Sequence, residues 1–395
     1  MLKIIFWISL LLLLHTYILY PLLLIILASR KKNNQNIFGK NELPAVSILV
    51  PAYNEEKLIT QKIESVCNSD YPCDKIEVLV GSDASTDRTN EMVDSLNKKY
   101  GNVHLENFSA RSGKIKIINH LKALAKHDIL ILTDANVMFD KNTIYELVKH
   151  FSNSDIALVD SNMTNIELQK KGISKAENTY IRGEVKIKND EGKVFGMMMG
   201  PFGGCYAVRK SFYKNIPEKF LVMDDFYINM KVLENGGKSI NEINAKVYEK
   251  IPDNWKVEFK RKIRINVGSF QNLVYFFHLL WKFNMLSFCF ISHKVIRWFG
   301  PIFMIAMYLS NIFLLWNIPL SLWRQTGWGI FFIFQNFIPV LFILDLILKF
   351  IGINFPISRL VTHFLSTNLA LLIGFFKFLK GVKSSVWQPT ERCET

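Results

Sequence analysis

Hydrophobic positions in this chain follow two different patterns. Residues 4–28 are almost unbroken Leu, Ile, Phe and Tyr, with Ser9 and His15 as the clearly polar interruptions, and Arg30, Lys31 and Lys32 come immediately after. A helix needs about 20 apolar residues to cross a bilayer core, and this run is long enough. A cleaved signal peptide is the competing reading, but the run exceeds a usual h-region and only Lys3 precedes it. The basic triplet predicts that the chain beyond residue 32 lies on the cytoplasmic side. Apolar runs return at residues 296–316, 328–348 and 360–379, with Trp298, Trp316 and Trp328 near their ends, as interfacial aromatics lie. If all three crossed, Lys377, Lys380, Lys383 and Arg392 would fall outside, against the positive-inside tendency. Two crossings are therefore expected, with the third run re-entrant or interfacial. Residues 269–291, with His278 and Lys282 among Phe, Tyr and Trp, read as a helix on the membrane surface or as a domain helix packed on a core.

Between residues 44 and 253 short apolar runs alternate with amphipathic stretches. Runs at 46–50, 76–81, 103–106 and 129–133 predict strands, and helical spacing at 58–68, 88–99 and 113–126 predicts the helices between them. Continuous apolar strands separated by helices indicate a mostly parallel α/β sheet covered on both faces. Ligands of such sheets bind beyond the C-terminal strand ends, so the residues after each strand carry the chemistry. The expected layout is an apolar helix at 1–28, a polar Asn-rich tether at 29–43, the α/β domain at 44–268, an interfacial region at 269–295, an apolar helical region at 296–380 and a tail at 381–395.

Composition narrows the class. With 395 residues, 50% of them hydrophobic, the chain is neither a disordered tail protein nor a small disulfide scaffold. Five cysteines without a C-x-x-C pair indicate neither a zinc site nor a disulfide framework, which suits a reducing cytoplasm. The net charge of +14 comes without a basic stripe carrying interleaved aromatics, so it points to anionic lipid or a diphosphate rather than to nucleic acid.

After the first strand run stands Pro51-Ala52-Tyr53-Asn54-Glu55-Glu56, leading into a helix whose first amides can meet an anion. After the second stands Gly81-Ser82-Asp83-Ala84-Ser85-Thr86-Asp87; Thr86 and Asp87 suit a helix cap, whereas Asp83 at the strand end can accept hydrogen bonds from a base or ribose. Arg111-Ser112-Gly113-Lys114 is either a phosphate-facing corner or a solvated basic turn. Asp134-Ala135-Asn136 after the fourth strand run can offer two oxygens to Mg²⁺ or Mn²⁺, or simply begin a turn.

Taken together, V-S-I-L-V-P-A-Y-N-E-E from Val46, S-D-A-S-T-D-R-T from Ser82, R-S-G-K from Arg111 and L-T-D-A-N from Leu132 resemble a membrane-bound family 2 glycosyltransferase with a GT-A fold. The resemblance covers roughly residues 44 to 270 and extends to the group containing cellulose, hyaluronan and poly-N-acetylglucosamine synthases. It implies that Asp83 contacts the nucleobase, that Pro51, Tyr53, Glu55 and Lys114 line the donor site, and that Asp134 with Asn136 holds the metal and diphosphate. Asn136 stands where the family carries a second Asp, which removes one negative charge. Met223-Asp224-Asp225-Phe226 matches the family's E-D pair and implies Asp225 as catalytic base, with Asp224 in the place of Glu; Asp224 can equally cap a helix over 226–234. Gly203 and Gly204 match a segment lining the acceptor site. The family's Q-x-x-R-W element aligns with residues 261–265, where Arg261 replaces Gln, Arg264 keeps the cation facing the diphosphate and Ile265 replaces Trp. A juxtamembrane basic patch is the other account of these cations.

The resemblance implies an inverting enzyme at the cytoplasmic membrane, moving a sugar from a UDP-hexose or UDP-N-acetylhexosamine, with Mg²⁺ or Mn²⁺, to a lipid-linked or polysaccharide acceptor. A processive polysaccharide synthase is the nearer alternative, and a nucleotide-sugar-binding protein without catalysis the more distant one.

Overall fold

The computed structural model describes residues 1–165, 172–218, 222–249, 255–353 and 355–381. The chain divides into two compact units, one of Ile26–Glu167 with Val185–Asn254, the other of Met1–Ile25, Leu168–Glu184 and Trp255–Gly381.

The first unit is built on one eight-stranded sheet: β1 (Val46–Ala52), β2 (Ile76–Ser82), β3 (Val103–Asn107), β4 (Ile129–Thr133), β5 (Val137–Phe139), β6 (Ile156–Asn165), β7 (Cys205–Arg209) and β8 (Lys238–Glu249). Its order is β3-β2-β1-β4-β7-β6-β8-β5. The first four strands pair in parallel, and all of β2 and β4 is buried, as their unbroken apolar runs require. Helices Ile59–Cys67, Thr89–Tyr100 and Lys114–Leu124 come after β1, β2 and β3, within two residues of the expected bounds. Val46, Ile48 and Val50 meet Ile59, Ile63 and Val66 in one apolar core, where each fully buried aliphatic side chain contributes about 1.5–3 kcal/mol.

The far half adds antiparallel pairings to the mostly parallel sheet, beside one further parallel pair, β6 with β8. β7 runs antiparallel to both β4 and β6, and β5 antiparallel to β8, so the sheet is mixed. Parallel neighbours need a helical crossover that leaves a periodic trace in sequence, whereas these antiparallel pairings join segments up to 112 residues apart with no local signal. The stretch read as a tether at 29–43 is also tied down: the Phe38 amide donates to the Lys149 carbonyl at 2.8 Å, and Ser152 Oγ to Asn36 Oδ1 at 2.9 Å.

In the second unit, three described helices are long and apolar enough to cross a membrane: Leu2–Ala28, Gly327–Phe350 and Pro356–Leu379. The run at 360–379, expected to be re-entrant or interfacial, lies within the last of these. The broken one is the run at 296–316. Helices Met285–Trp298 and Gly300–Leu315 meet at a 61° bend, where Pro301 in the first turn starts a new helix because it lacks the amide needed to continue the old one. The surface helix expected over 269–291 is likewise interrupted. Helix Trp255–Tyr275 ends before a 3₁₀ turn at Phe277–Trp281, and Asn284 caps the next helix by accepting the Ser287 amide at 2.9 Å. The boundary expected at 268 also moves, because helix Trp255–Tyr275 groups with the apolar helices. The polar interruption at His15 is satisfied by Ser292 Oγ at 2.9 Å.

A buried ion pair joins the last two apolar helices. Arg359 Nε lies 3.2 Å from Asp345 Oδ1, and the hydroxyls of Ser358 and Thr362 donate to the same carboxylate at 2.8 and 2.9 Å. Breaking such a pair leaves an uncompensated charge. Asp345→Ala is expected to destabilise the detergent-solubilised protein by about 3–5 kcal/mol, read as a lower melting temperature.

Candidate active site

The site forms where β1, β2 and β4 end side by side. The two loops after β1 and β2 are stitched together: the Thr86 amide donates to Asn54 Oδ1 at 2.9 Å and the Glu56 amide to Asp87 Oδ2 at 3.1 Å. Asp87 also accepts the Thr89 amide at 3.0 Å, but from one residue before the helix cap, which is Arg88 and carries no side-chain bond, so neither Thr86 nor Asp87 is the cap. Glu55 is buried, and its amide donates to Thr89 Oγ1 at 2.9 Å; Pro51 lies within β1 opposite Gly81.

Asp83 has a different task. It is 3% exposed and accepts the amides of Ser112 and Gly113 at 2.5 and 3.2 Å and Arg111 Nε at 3.0 Å. The Arg111 guanidinium in turn lies 3.3 Å from the centre of the Tyr53 ring, a cation–π contact. The R-S-G-K stretch is therefore a constructed corner rather than a solvated turn. Gly113, at φ +83°, makes the bend that lets both amides face one carboxylate.

That corner delivers Lys114 to the centre of the site. Its Nζ stands 3.0 Å from Asp134 Oδ1 and 3.6 Å from Asp224 Oδ2. Burial alone would lower the Lys114 ammonium, but Asp134, Asp224 and Asp225 outweigh it and hold the charge above its ordinary range. Asp224 does not cap a helix over 226–234. The helix is Asp224–Glu234, its cap position is Met223 at φ +61° without a side-chain bond, and Asp224 turns to Lys114 instead.

Asp225 is raised to about 7, by burial first and by the neighbouring Asp224 second. The glycine segment packs directly on it: a Cβ at Gly203 would lie 2.7 Å from Asp225 Oδ2. Gly204 closes the other side, its carbonyl accepting the Asp134 amide at 3.1 Å. The glycine segment has its own buried support, which the motifs did not show. Lys188 Nζ lies 2.8 Å from Asp160 Oδ2 and 3.4 Å from the centre of the Phe202 ring, while the Phe202 amide donates to Asp160 Oδ1 at 3.3 Å. The available signal was Asp160 directly after the apolar run Ile156–Val159.

Among the described residues no group of three or more His, Cys, Asp or Glu side chains can hold a metal by itself. Asp134 keeps a side chain 37% exposed, and the Asn136 side-chain nitrogen donates to Glu249 Oε1 at 2.9 Å, so Oδ1 is the Asn136 atom able to coordinate a cation. One carboxylate and one amide oxygen fit a divalent ion that takes its remaining ligands from a substrate diphosphate and water. Arg261 and Arg264 lie on helix Trp255–Tyr275 in the other unit; Arg261 pairs with Glu258 one turn earlier, Nε to Oε2 at 2.8 Å, and Arg264 is exposed.

Residues 47–216 match the glycosyl transferase family 2 domain. The chain is 26% identical over 317 residues to the probable glycosyltransferase YdaM of Bacillus subtilis (strain 168), covering 75% of this chain and 73% of that one. It is 29% identical over 143 residues to a beta-monoglucosyldiacylglycerol synthase of Synechocystis, a match that takes in 36% of this chain and only 28% of that protein's length. In fold it resembles a mannosyltransferase of Pyrobaculum calidifontis solved with GDP-Man and Mn²⁺, with a TM-score of 0.71, 19% identity and coverage of 96% of this chain and 99% of that one.

The raised Asp225 carboxyl carries a stability consequence. Its folded value of about 7 lies above the ordinary 3.8, so the folded state binds the extra proton and loses stability as pH rises from about 4 through 7. Asp225→Asn, neutral at every pH, is expected to melt higher than the unsubstituted protein at pH 8, with a smaller gap at pH 5. Thermal melts at both pH values check this.

Proposed function

We propose that this family 2 domain belongs to an inverting glycosyltransferase held in the cytoplasmic membrane, which moves a sugar from a nucleotide diphosphate to a hydroxyl of a lipid-linked or polysaccharide acceptor. The observation that carries the reading is Asp225. A carboxyl poised near 7, with Gly203 packed against it and the Lys114–Asp224 pair beside it, is suited to take a proton at neutral pH. In this reading Tyr53 and the Asp83–Arg111 pair hold the nucleoside side of the donor. Lys114 exchanges its carboxylate partners for diphosphate oxygens, bringing positive charge to the leaving group. Asp134 and Asn136 would hold Mg²⁺ or Mn²⁺, which when bound supplies further charge neutralisation there. The acceptor oxygen forms its bond to C1 as the bond from C1 to the diphosphate oxygen breaks on the opposite face, and the acceptor proton passes to Asp225. Displacement from the opposite face inverts the anomeric centre.

The membrane part of the proposal rests on the three long apolar helices. A glycolipid acceptor is supported by the similarity to a beta-monoglucosyldiacylglycerol synthase, and short products rather than a polymer by Ile265 standing where polymerising relatives carry Trp. UDP-hexose and UDP-N-acetylhexosamine remain the favoured donors. GDP-Man enters the test because the mannosyltransferase of like fold was solved with it.

The test is nucleotide release and product size with detergent-solubilised full-length protein, Mn²⁺, UDP-Glc, UDP-GlcNAc or GDP-Man, and diacylglycerol or a membrane lipid extract. One donor is expected to respond, with a short lipid-linked product. Asp225→Asn should keep nucleotide binding while transfer falls ~10²–10⁴-fold. Turnover of no donor, or transfer at the normal rate by that variant, would contradict the proposal. Gly203→Ala, whose new methyl displaces Asp225, is expected to lower kcat ~10²-fold with donor affinity retained.

A further inference from the structure

Lys62 lies where helical spacing calls for an apolar side chain. Helix Ile59–Cys67 buries Ile59, Ile63, Val66 and Cys67, and Lys62 sits on the same stripe with 0% exposure. Its Nζ donates to Thr133 Oγ1 at 2.9 Å and to the Val137 carbonyl at 2.5 Å, and stands 3.7 Å from the centre of the Phe139 ring. Those two acceptors bracket the turn Asp134-Ala135-Asn136. Thr133 carries the link onward, since its hydroxyl donates at 3.1 Å to the Gly204 carbonyl, the same oxygen that accepts the Asp134 amide.

Packing does not account for this side chain. A buried ammonium loses its hydration, and a Met or Leu of similar volume would fill the space without that loss. The loss is visible in the group itself: burial pushes the Lys62 ammonium down to about 7, against the pull of Cys205 and Asp134. The Nζ hydrogen bonds go to the residue before Asp134 and the residue after Asn136, and to no other described polar group. With Asn136 in place of a second carboxylate, the turn offers a cation one negative charge fewer, and support from behind matters more.

We propose that Lys62 is a positioning residue that clamps both ends of the Asp134–Asn136 turn from inside the core and so sets the geometry of the proposed cation and diphosphate site. The inference rests on the reading of that turn as the cation site. It concerns a residue that makes no contact with substrate.

The experiment measures binding of UDP and of GDP to the detergent-solubilised full-length protein by calorimetry as Mn²⁺ is varied, for the unsubstituted protein, Lys62→Met, Thr133→Val and the double variant. Lys62→Met is expected to raise the Mn²⁺ concentration for half-maximal nucleotide binding ~10-fold or more, with metal-free nucleotide affinity unchanged. Thr133→Val should shift it the same way by less, and the double variant should match Lys62→Met rather than the product of the two shifts, because both act through one link. An unshifted midpoint in Lys62→Met overturns the assignment. Should that variant fail to fold, an unshifted midpoint in Thr133→Val overturns it instead. If the unsubstituted protein binds both nucleotides without any Mn²⁺ dependence, the metal reading of the turn fails first and takes the Lys62 role with it.

Discussion

One ammonium allows three carboxylates to share a small space. Asp134, Asp224 and Asp225 come from segments about 90 residues apart, and like charges at such range repel unless a cation stands among them. Lys114 is that cation, 3.0 Å from one carboxylate and 3.6 Å from the next. Its own position is inherited from Asp83, which holds the backbone of Ser112 and Gly113 immediately before it. Asp83 therefore bears on the far side of the site without touching it. The chain of contacts runs from the end of β2 through the R-S-G-K corner to the end of β4 and the start of helix Asp224–Glu234. In the proposed reaction an incoming diphosphate would compete with the carboxylates for the same ammonium, which would couple donor arrival to the charge around Asp225.

Backbone strain is placed along the same edge. Among the described residues, the non-glycine positions at positive φ are Asn54, Ala84 and Met223, at +51°, +55° and +61°. Each directs a loop of the site: Asn54 and Ala84 after β1 and β2, Met223 before the two aspartates. Such conformations persist only where surrounding structure over-determines them, as the cross-bonds between Asn54 and Thr86 and between Glu56 and Asp87 do here.

The first four strands and their helices were legible in the sequence because unbroken apolar runs and helical spacing are local signals. The meeting of Lys114, Asp134 and the Asp224–Asp225 pair was within reach of the sequence too, since each belongs to a short motif at a strand or helix end. Features that depend on distant partners were not. The antiparallel strand pairings among β4 to β8, the Asp160–Lys188 support of the glycine segment and the buried Lys62 acquire meaning only when segments about 30 to 110 residues apart meet. Asp224 has the sequence signature of a cap because a carboxylate before a helix has the same local appearance whether it bonds an amide or a lysine. The 61° break before Gly300 left Pro301 as its visible cue, and hydropathy alone passes over it.

The most direct test of the central claim is the pH dependence of kcat/KM for sugar transfer in the unsubstituted protein and in Lys114→Met. If Lys114 holds the carboxylates together and lowers the charge burden on Asp225, the acid limb falls with unit slope near pH 7, and in the variant it moves to higher pH as Asp225 loses its cation. An acid limb that stays in place when Lys114 is replaced, or a profile flat across this range, would contradict the account.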